Sequence, residues 1–232
     1  MTKQRVVVTG LGCLTPIGCN KDDFWKSLLE GKSGAKTIDF LDVDKLPVKF
    51  SASVKDFQSD KYFDKKDLKK MDLFMQYGMA AGIDAVADAK LLESQCNPDR
   101  IGVSIGSGIG GLYNIENTRD TFIKSGSRRI SPFFVPASII NMISGNLSIK
   151  YGFKGPNLSI VTACTTGTHN IGEGFRQIQY SHADVMICGG AEMATSDLGV
   201  GGFAAARALS TRNDSPETAS RPWDKDLSLI HI

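Results

Sequence analysis

The sequence has few cysteines and no long apolar run. Its five cysteines (Cys13, Cys19, Cys96, Cys164 and Cys188) are scattered and form no Cys-x-x-Cys pair. This spacing argues against a disulfide framework or a metal site, and it favours a reducing compartment. No apolar run approaches the roughly 18 residues of a membrane-spanning helix. Because an apolar run begins almost at the first residue, we expect no signal peptide, no membrane and a cytoplasmic location.

An excess of charge of either sign is also missing. The 232 residues carry 27 basic and 25 acidic side chains, a net charge of +2. Such a balance gives no reason to expect nucleic acid as a partner, so a charged partner must be met by a local patch. Hydrophobic residues make up 41% of the chain, which is enough for a substantial core.

Strand and helix signals alternate along the chain. Strands are predicted in RVVVTGLG, RIGVSIG, SIVTAC and ADVMICGG, and helices in KDDFWKSLLEG, in residues 71–91, in ASIINMISGNLSIKYG and after Cys164. Gly31 should close the first helix. Continuous apolar strands between helices are typical of a mostly parallel sheet with helices on both faces. The sequence therefore predicts an α/β fold.

Two stretches allow more than one interpretation. Residues 106–111, GSGIGG, fit the G-x-G-x-x-G pattern of dinucleotide-binding loops. Dinucleotide-binding loops are followed, about 20 residues later, by an acidic residue at the end of a strand, and none appears here. This favours a glycine turn that lines a pocket. The lysine-rich run DKYFDKKDLKKMD, residues 60–72, is by itself typical of a solvated helix face, because Asp60, Asp64 and Asp67 dilute its charge.

A cysteine stands at a predicted junction of strand and helix in VTACTTGTHNIG, residues 161–172. The first turn of a helix has unpaired backbone N–H groups and a favourable dipole for an anion. Such a position favours the thiolate form of Cys164 and offers N–H groups to a developing oxyanion. An inert buried cysteine is the alternative, and spacing alone does not separate the two.

Longer motifs resemble those of one family, in order and almost without gaps from Met1 to about Asp226. They are VVVTGLGCLTPIG, KMDLFMQYG, GSGIGG, ISPFFVP, GPNLSIVTACTTG, GGAEMATSDLGVGGFAAARALSTRND and SRPWDKD. They resemble the β-ketoacyl-[acyl carrier protein] synthases, and among them the elongating type II branch of bacterial fatty-acid synthesis. The resemblance implies the N-terminal half of a thiolase-like fold, with a ketoacyl-synthase domain over residues 1–226, and a homodimer.

Roles for several residues follow from this resemblance. Cys164 would take an acyl chain from a carrier-protein thioester, and decarboxylation of malonyl-carrier would supply the carbanion that condenses with it. Ile109, Phe134 and Phe203 would lie at the acyl pocket, with Phe134 reaching toward the dimer partner. The acidic carrier protein, which brings its phosphopantetheine arm, would dock on Lys66, Lys69, Lys70, Arg128, Arg129 and Arg207. No separate cofactor or metal is implied.

The family's two malonyl-binding histidines and a nearby lysine have no counterpart in this sequence. The only histidines are His169, His182 and His231. A helix would turn His169 about 140° from the face of Cys164, so we expect a packing or supporting role for it and a surface position for His182. Residues 227–232, LSLIHI, depart from the family pattern and resemble a foreign tail. We therefore expect a truncated domain without its C-terminal half, inactive in condensation by itself.

The missing half should also leave apolar surface uncovered. Ile171, Phe175 and Ile178 have the spacing of a core-facing stripe on the helix after Cys164. We expect some of them to face water.

Three classes of function remain. The first is a condensing acyltransferase. The second is a non-catalytic partner subunit that resembles the chain-length factors, but these lack the cysteine. The third is an NAD-dependent oxidoreductase that uses GSGIGG, which the resemblance disfavours.

Overall fold

The computed structural model describes residues 4–224, so the predicted tail 227–232 and His231 lie outside the described residues. The chain forms two compact units. One contains residues 4–14 and Gln58–Glu192, and the other contains Thr15–Phe57 and residues 193–224. The predicted domain boundary at residue 226 also falls outside the described part of the chain.

The described helices are α1 (Lys21–Leu29), α2 (Lys65–Leu68), α3 (Leu73–Asp88), α4 (Leu112–Ser125), α5 (Phe134–Ser138), α6 (Met142–Tyr151), α7 (Thr166–Gln179) and α8 (Asp197–Ala205). The described strands are β1 (Lys36–Thr37), β2 (Phe50–Ser51), β3 (Ile101–Gly106), β4 (Asn157–Leu158) and β5 (Val185–Gly190). Short 3-10 turns connect several of them. None of the described helices has the length and apolar character needed to cross a membrane.

A parallel sheet with the order β4-β3-β5 forms the centre of the first unit. Every residue of β3 is buried, as expected for a strand covered on both faces. Ser104 donates a hydrogen bond to Asn170 of α7, whereas Ile105 lies near Gly82 of α3 on the other side. Successive side chains point to opposite faces of a strand, so helices cover both faces, as the sequence predicted.

Helices α3 and α6 pack closely because glycine stands at their contact. A methyl group on Gly78 would lie 2.7 Å from the side chain of Ile143, and one on Gly82 would lie 2.9 Å from Leu147. Ile143 and Leu147 are completely buried. The predicted long buried helix and its glycine face are therefore confirmed, although α6 begins only at Met142, after the short α5.

The predicted N-terminal strand in RVVVTGLG is wrong. Residues 4–14 form no strand, and Val7 and Val8 are 58% and 78% exposed. Gly10 and Gly12 instead approach the backbone of α3. Apolar β-branched residues favour a strand only where a neighbouring strand can pair with them, and no strand of the described residues pairs with this segment.

In the second unit a small core lies between a two-stranded antiparallel sheet and α8. Its β1 pairs with β2, and Ile38, Val48 and Val200 are buried together. Helix α1 begins with the side chain of Asn20 as its N-cap, and Gly31, with φ of +64°, follows its end. The first helix and its closing glycine are thus as predicted.

Helix α7 lies on β5 through a second glycine contact, which gives a stability test. A methyl group on Gly174 would overlap the sulfur of Cys188, while Gly172 on the same helix has no atom near it. We expect Gly174→Ala to lower the free energy of unfolding by about 1–3 kcal/mol through overpacking. Gly172→Ala is the matched control and should raise it by about 0.5–1 kcal/mol.

Urea unfolding followed by circular dichroism measures both changes. Adding Cys188→Ala to Gly174→Ala removes the overlapping sulfur and should recover part of the loss. Equal effects of the two glycine substitutions would contradict the contact between α7 and β5.

Candidate active site

Cys164 lies in a 3-10 turn, Ala163–Thr165, that leads directly into α7. Its side chain is exposed. The preceding residue, Ala163, has a left-handed backbone with φ of +52°, an unfavourable conformation for a residue with a Cβ. Such strain is found where a turn must present one side chain in a fixed direction. The cysteine therefore stands at the N-terminus of a 14-residue helix, as the sequence predicted.

Side chains of α7 fasten the segment that precedes Cys164. The hydroxyl of Thr166 accepts a hydrogen bond from the Thr162 amide (2.9 Å), and Nδ1 of His169 lies 2.6 Å from Oγ1 of Thr162. The completely buried side chain of Asn170 accepts from the Ile160 amide and donates to the Ile160 carbonyl. These contacts replace a strand ladder, so the predicted strand SIVTAC, residues 159–164, is wrong: β4 ends just before it, at Leu158.

The two described histidines are both engaged in local hydrogen bonds. His169 supports the turn through Thr162, which confirms the supporting role expected for it. His182 is exposed and its Nδ1 lies 3.1 Å from the side-chain oxygen of Gln177. In the described part of the chain no group of His, Cys, Asp or Glu side chains could hold a metal ion.

The glycine loop Ser107–Gly111 approaches the cysteine turn. A methyl group on Gly108 would lie 3.2 Å from the carbonyl oxygen of Ala163, so the loop passes beside the residue that precedes Cys164. Ile109, the predicted acyl-pocket residue, is carried at the centre of this loop and is partly exposed.

This loop is unsuited to a dinucleotide phosphate. One oxygen of the Glu192 carboxylate accepts a hydrogen bond from the Ile109 amide (2.9 Å), and the other accepts from the Ser107 hydroxyl (2.8 Å). A phosphate would need these donors, and it would be repelled by the carboxylate that already binds them. This arrangement weighs against the NAD-dependent alternative.

A second polar network fixes the short helix α5, which begins with Phe134. The buried carboxylate of Asp72 accepts a hydrogen bond from the Asn114 amide (2.7 Å), and the Asn114 side chain donates to the carbonyl of Phe134 (3.1 Å). Burial raises the pKa of Asp72, opposed by hydrogen bonds from the amides of Phe74 and Asn114. The third predicted pocket residue, Phe203, lies on α8 in the second unit.

Five of the six predicted docking residues belong to the first unit, and Arg207 belongs to the second. Lys66 and Lys69 are exposed on and after α2, and Arg128 and Arg129 are exposed in a 3-10 turn. Lys70 differs from the others because it donates to Asp67 (2.7 Å) and lies over the ring of Phe133. The hydrogen bond from Lys70 lowers the pKa of Asp67, so this pair persists at neutral pH.

Helix α7 is only partly buried. One face packs on β3 and β5, but Ile171 is 57% exposed and Phe175 is 44% exposed on the other. The expectation that part of its apolar stripe faces water is confirmed.

Sequence reasoning missed the residues that hold the site in place. Thr166 and Glu192 lie within family motifs, but neither they nor Asn170 show their partners in the sequence, because a hydrogen bond to a backbone group leaves no periodic signal. Only the glycines around them, which permit close approach, could have drawn attention to these positions.

The parallel sheet with helices on both faces, and the cysteine turn that leads into α7, belong to a thiolase-like fold. The family model described as "Beta-ketoacyl synthase, N-terminal domain" matches residues 3–227. The chain belongs to this family.

Relatives and solved structures agree with this assignment. The chain is 55% identical over 226 residues to the 3-oxoacyl-[acyl-carrier-protein] synthase 2 of Vibrio cholerae, covering 97% of this chain and 55% of that protein. A β-ketoacyl synthase from Burkholderia phymatum matches with a TM-score of 0.84 at 27% identity, covering 99% of this chain and 56% of the other.

A third match is a complex of a type II polyketide ketosynthase with its acyl-carrier protein. It has a TM-score of 0.75 at 25% identity, and the match covers 90% of this chain and 57% of the other. The chain spans about half the length of the curated relatives that it matches.

Proposed function

We propose that this chain is the acyl-accepting part of a 3-oxoacyl-[acyl carrier protein] synthase of fatty-acid elongation. The observation that carries the proposal is the exposed thiol of Cys164 at the N-terminus of α7. The name shared by its relatives supports the same activity. A non-catalytic, chain-length-factor-like subunit would have no use for this thiol.

In the proposed reaction the Cys164 thiolate attacks the carbonyl carbon of an acyl-carrier thioester. Negative charge develops on the carbonyl oxygen, and N–H groups at the start of α7 are suited to stabilise it. The bond to the phosphopantetheine sulfur breaks, and this sulfur leaves as a thiolate that takes up a proton from water. Malonyl-carrier then loses CO2, its enolate carbon attacks the Cys164 thioester, and the cysteine is released as the carbon–carbon bond forms. Covalent catalysis divides one difficult condensation into two easier steps.

The first step can be tested directly with residues 1–232. Incubation with a saturated acyl-carrier thioester should increase the mass of the protein by one acyl group, and peptide mapping should place this group on Cys164. Cys164→Ala should lose the adduct completely, whereas Cys96→Ala, which removes another exposed thiol, should retain it. An adduct on other cysteines, or none at all, would contradict the proposal.

The acyl carrier protein is the proposed partner, and the basic residues on and near α2 are its proposed docking surface. Support comes from the exposed Lys66, Lys69, Arg128 and Arg129 and from the carrier-bound ketosynthase among the solved structures. An acidic partner met by a local basic surface on a nearly neutral protein is suited to fast, weak association.

Reversing Lys66, Lys69 and Lys70 to Glu should slow acyl transfer from the carrier about ten- to hundredfold at low salt. Transfer from a small acyl thioester should be unchanged, and the difference should shrink as salt screens the exposed charges. Lys26, Lys32 and Lys36 in the second unit, reversed together, give the same change of net charge as a control. Equal losses with both thioesters would mean that the lysines support the structure and do not dock the carrier.

A homodimer in the cytoplasm completes the proposal. Apolar side chains near α5 and α6 are exposed in the first unit, namely Phe133, Val135, Ile139 and Ile149, and a second copy could cover them. The described cysteines are all free thiols, which fits a reducing compartment. Sedimentation equilibrium of the chain would detect the dimer.

A further inference from the structure

The Glu192 carboxylate has a place in the fold that lets it control the glycine loop. Strands β3 and β5 are parallel neighbours whose ends align, Gly106 beside Gly190. The chain therefore leaves both strands at the same edge of the sheet. Glu192 follows β5 by two residues and reaches the loop that follows β3.

One carboxylate binds two hydrogen-bond donors of this loop. Its two oxygens accept from the Ile109 amide (2.9 Å) and from the Ser107 hydroxyl (2.8 Å). The Ser107 oxygen in turn accepts from the Gly110 amide (3.1 Å). Hydrogen bonds to an ionised carboxylate are stronger than those between neutral groups, so the conformation of the loop depends on Glu192.

The fastened loop is confined between Glu192 and the cysteine turn. A methyl group on Gly108 would lie 2.8 Å from a carboxylate oxygen of Glu192 and 3.2 Å from the carbonyl of Ala163. A shift of the loop away from Glu192 would therefore also change its contact with the residue before Cys164.

The two partners differ sharply in exposure. Ser107 is 1% exposed, whereas Glu192 is an exposed residue. Water can replace the loop donors around an exposed carboxylate at small cost, so this contact can open and close while the strands beneath it remain in place.

We propose that Glu192 is a positioning residue that fastens the loop Ser107–Gly111 and thereby limits which acyl chains reach Cys164. While the carboxylate is engaged, the backbone of Ile109 is fixed in the loop that passes beside the cysteine turn. When the hydrogen bonds to the Glu192 carboxylate break, Ile109 can move, and a longer acyl chain can then reach Cys164. This inference rests on the proposed acyl transfer to Cys164.

The test compares Glu192→Ala and Glu192→Gln in residues 1–232, with Glu93→Ala as a matched control at an exposed glutamate elsewhere in the first unit. Hydrogen exchange of a peptide that covers the loop measures how strongly Glu192 restrains the loop backbone. The rates at which iodoacetamide and N-dodecyl iodoacetamide alkylate Cys164 measure chain-length admission.

In Glu192→Ala the amides of Ile109 and Gly110 should exchange about ten- to hundredfold faster, because a hydrogen bond to a charged acceptor is lost. The rate of Cys164 alkylation by the dodecyl reagent should rise at least about threefold relative to the rate with iodoacetamide. Ile109 is more easily displaced when its amide is no longer bonded to residue 192. In Glu192→Gln the exchange rates and the ratio of alkylation rates should stay close to those of the unsubstituted protein, because the glutamine side chain can accept from Ile109 and donate to Ser107. Glu93→Ala should change neither.

Unchanged exchange in Glu192→Ala would overturn the fastening, and faster exchange with an unchanged ratio of the two rates would overturn the control of chain length. Ser107→Ala removes one of the carboxylate's two partners and should show the same effects at smaller size, which keeps the test decisive if Glu192→Ala folds poorly. Failure of Cys164 to react selectively in the unsubstituted protein would instead refute the proposed function, and loop exchange would still decide whether Glu192 fastens the loop.

Discussion

Iodoacetamide should alkylate Cys164 at least about tenfold faster than Cys96 in the native protein, although both residues are exposed. Exposure alone would give similar rates. We expect the difference because Cys164 directly precedes α7, and the backbone N–H groups and dipole at a helix N-terminus are favourable for an anion. Cys96 lies between two 3-10 turns and has no such helix behind it.

Cys188 and Cys19 should react more slowly than Cys164. Burial raises the pKa of Cys188 to about 12, so at neutral pH its thiol should react slower than that of Cys164 by orders of magnitude. Burial, followed by the charges of Asp56 and Asp23, also raises the pKa of Cys19. Both should react more slowly in the native protein than in the unfolded one.

Mass spectrometry of tryptic peptides, sampled over time, gives the rate for each cysteine. Denaturation in urea is the control, because it should make the rates converge. Equal rates for Cys164 and Cys96 in the native protein would show that the thiol is merely accessible, and the acyl-accepting role would lose its physical basis.

The parts of the fold that sequence predicted well are those whose signal is local. Strand β3 and helix α3 are formed by long apolar segments, and their glycines mark close contacts. The place of Cys164 followed from an apolar run, a cysteine and a stretch of small residues, which together predict a turn into a helix.

The errors occur where structure depends on a distant partner. Val7 and Val8 have the composition of a strand, but a strand requires a neighbour, and none of the described strands pairs with them. Residues 159–162 lose their strand character because Thr166 and Asn170 take over their hydrogen bonds. The contact of Glu192 with Ile109 spans 83 positions, and no local pattern reports it.

The proposed condensation depends on donors that the described histidines do not supply. Decarboxylation of a malonyl thioester places negative charge on its carbonyl oxygen, and a preorganised donor for such charge contributes about 10² to 10³ in rate. His169 is 2.6 Å from Thr162 and supports the cysteine turn, while His182 is bonded to Gln177 at the surface. Neither is presented to a substrate on Cys164.

Residues 1–232 should therefore accept an acyl group on Cys164 but form no detectable 3-oxoacyl product when malonyl-carrier is added. The loss relative to the full-length Vibrio cholerae relative should be about 10⁴-fold or more, because the resemblance implies two histidine donors that have no counterpart in residues 1–232. Mass spectrometry of the carrier-bound products measures it, with that relative as the positive control and Cys164→Ala as the blank. Product above the blank would show that His169 or His182 leaves its present partner to bind the malonyl thioester. In that case His169→Ala and His182→Ala would identify which of the two acts, since only the residue in contact with the thioester should abolish the product.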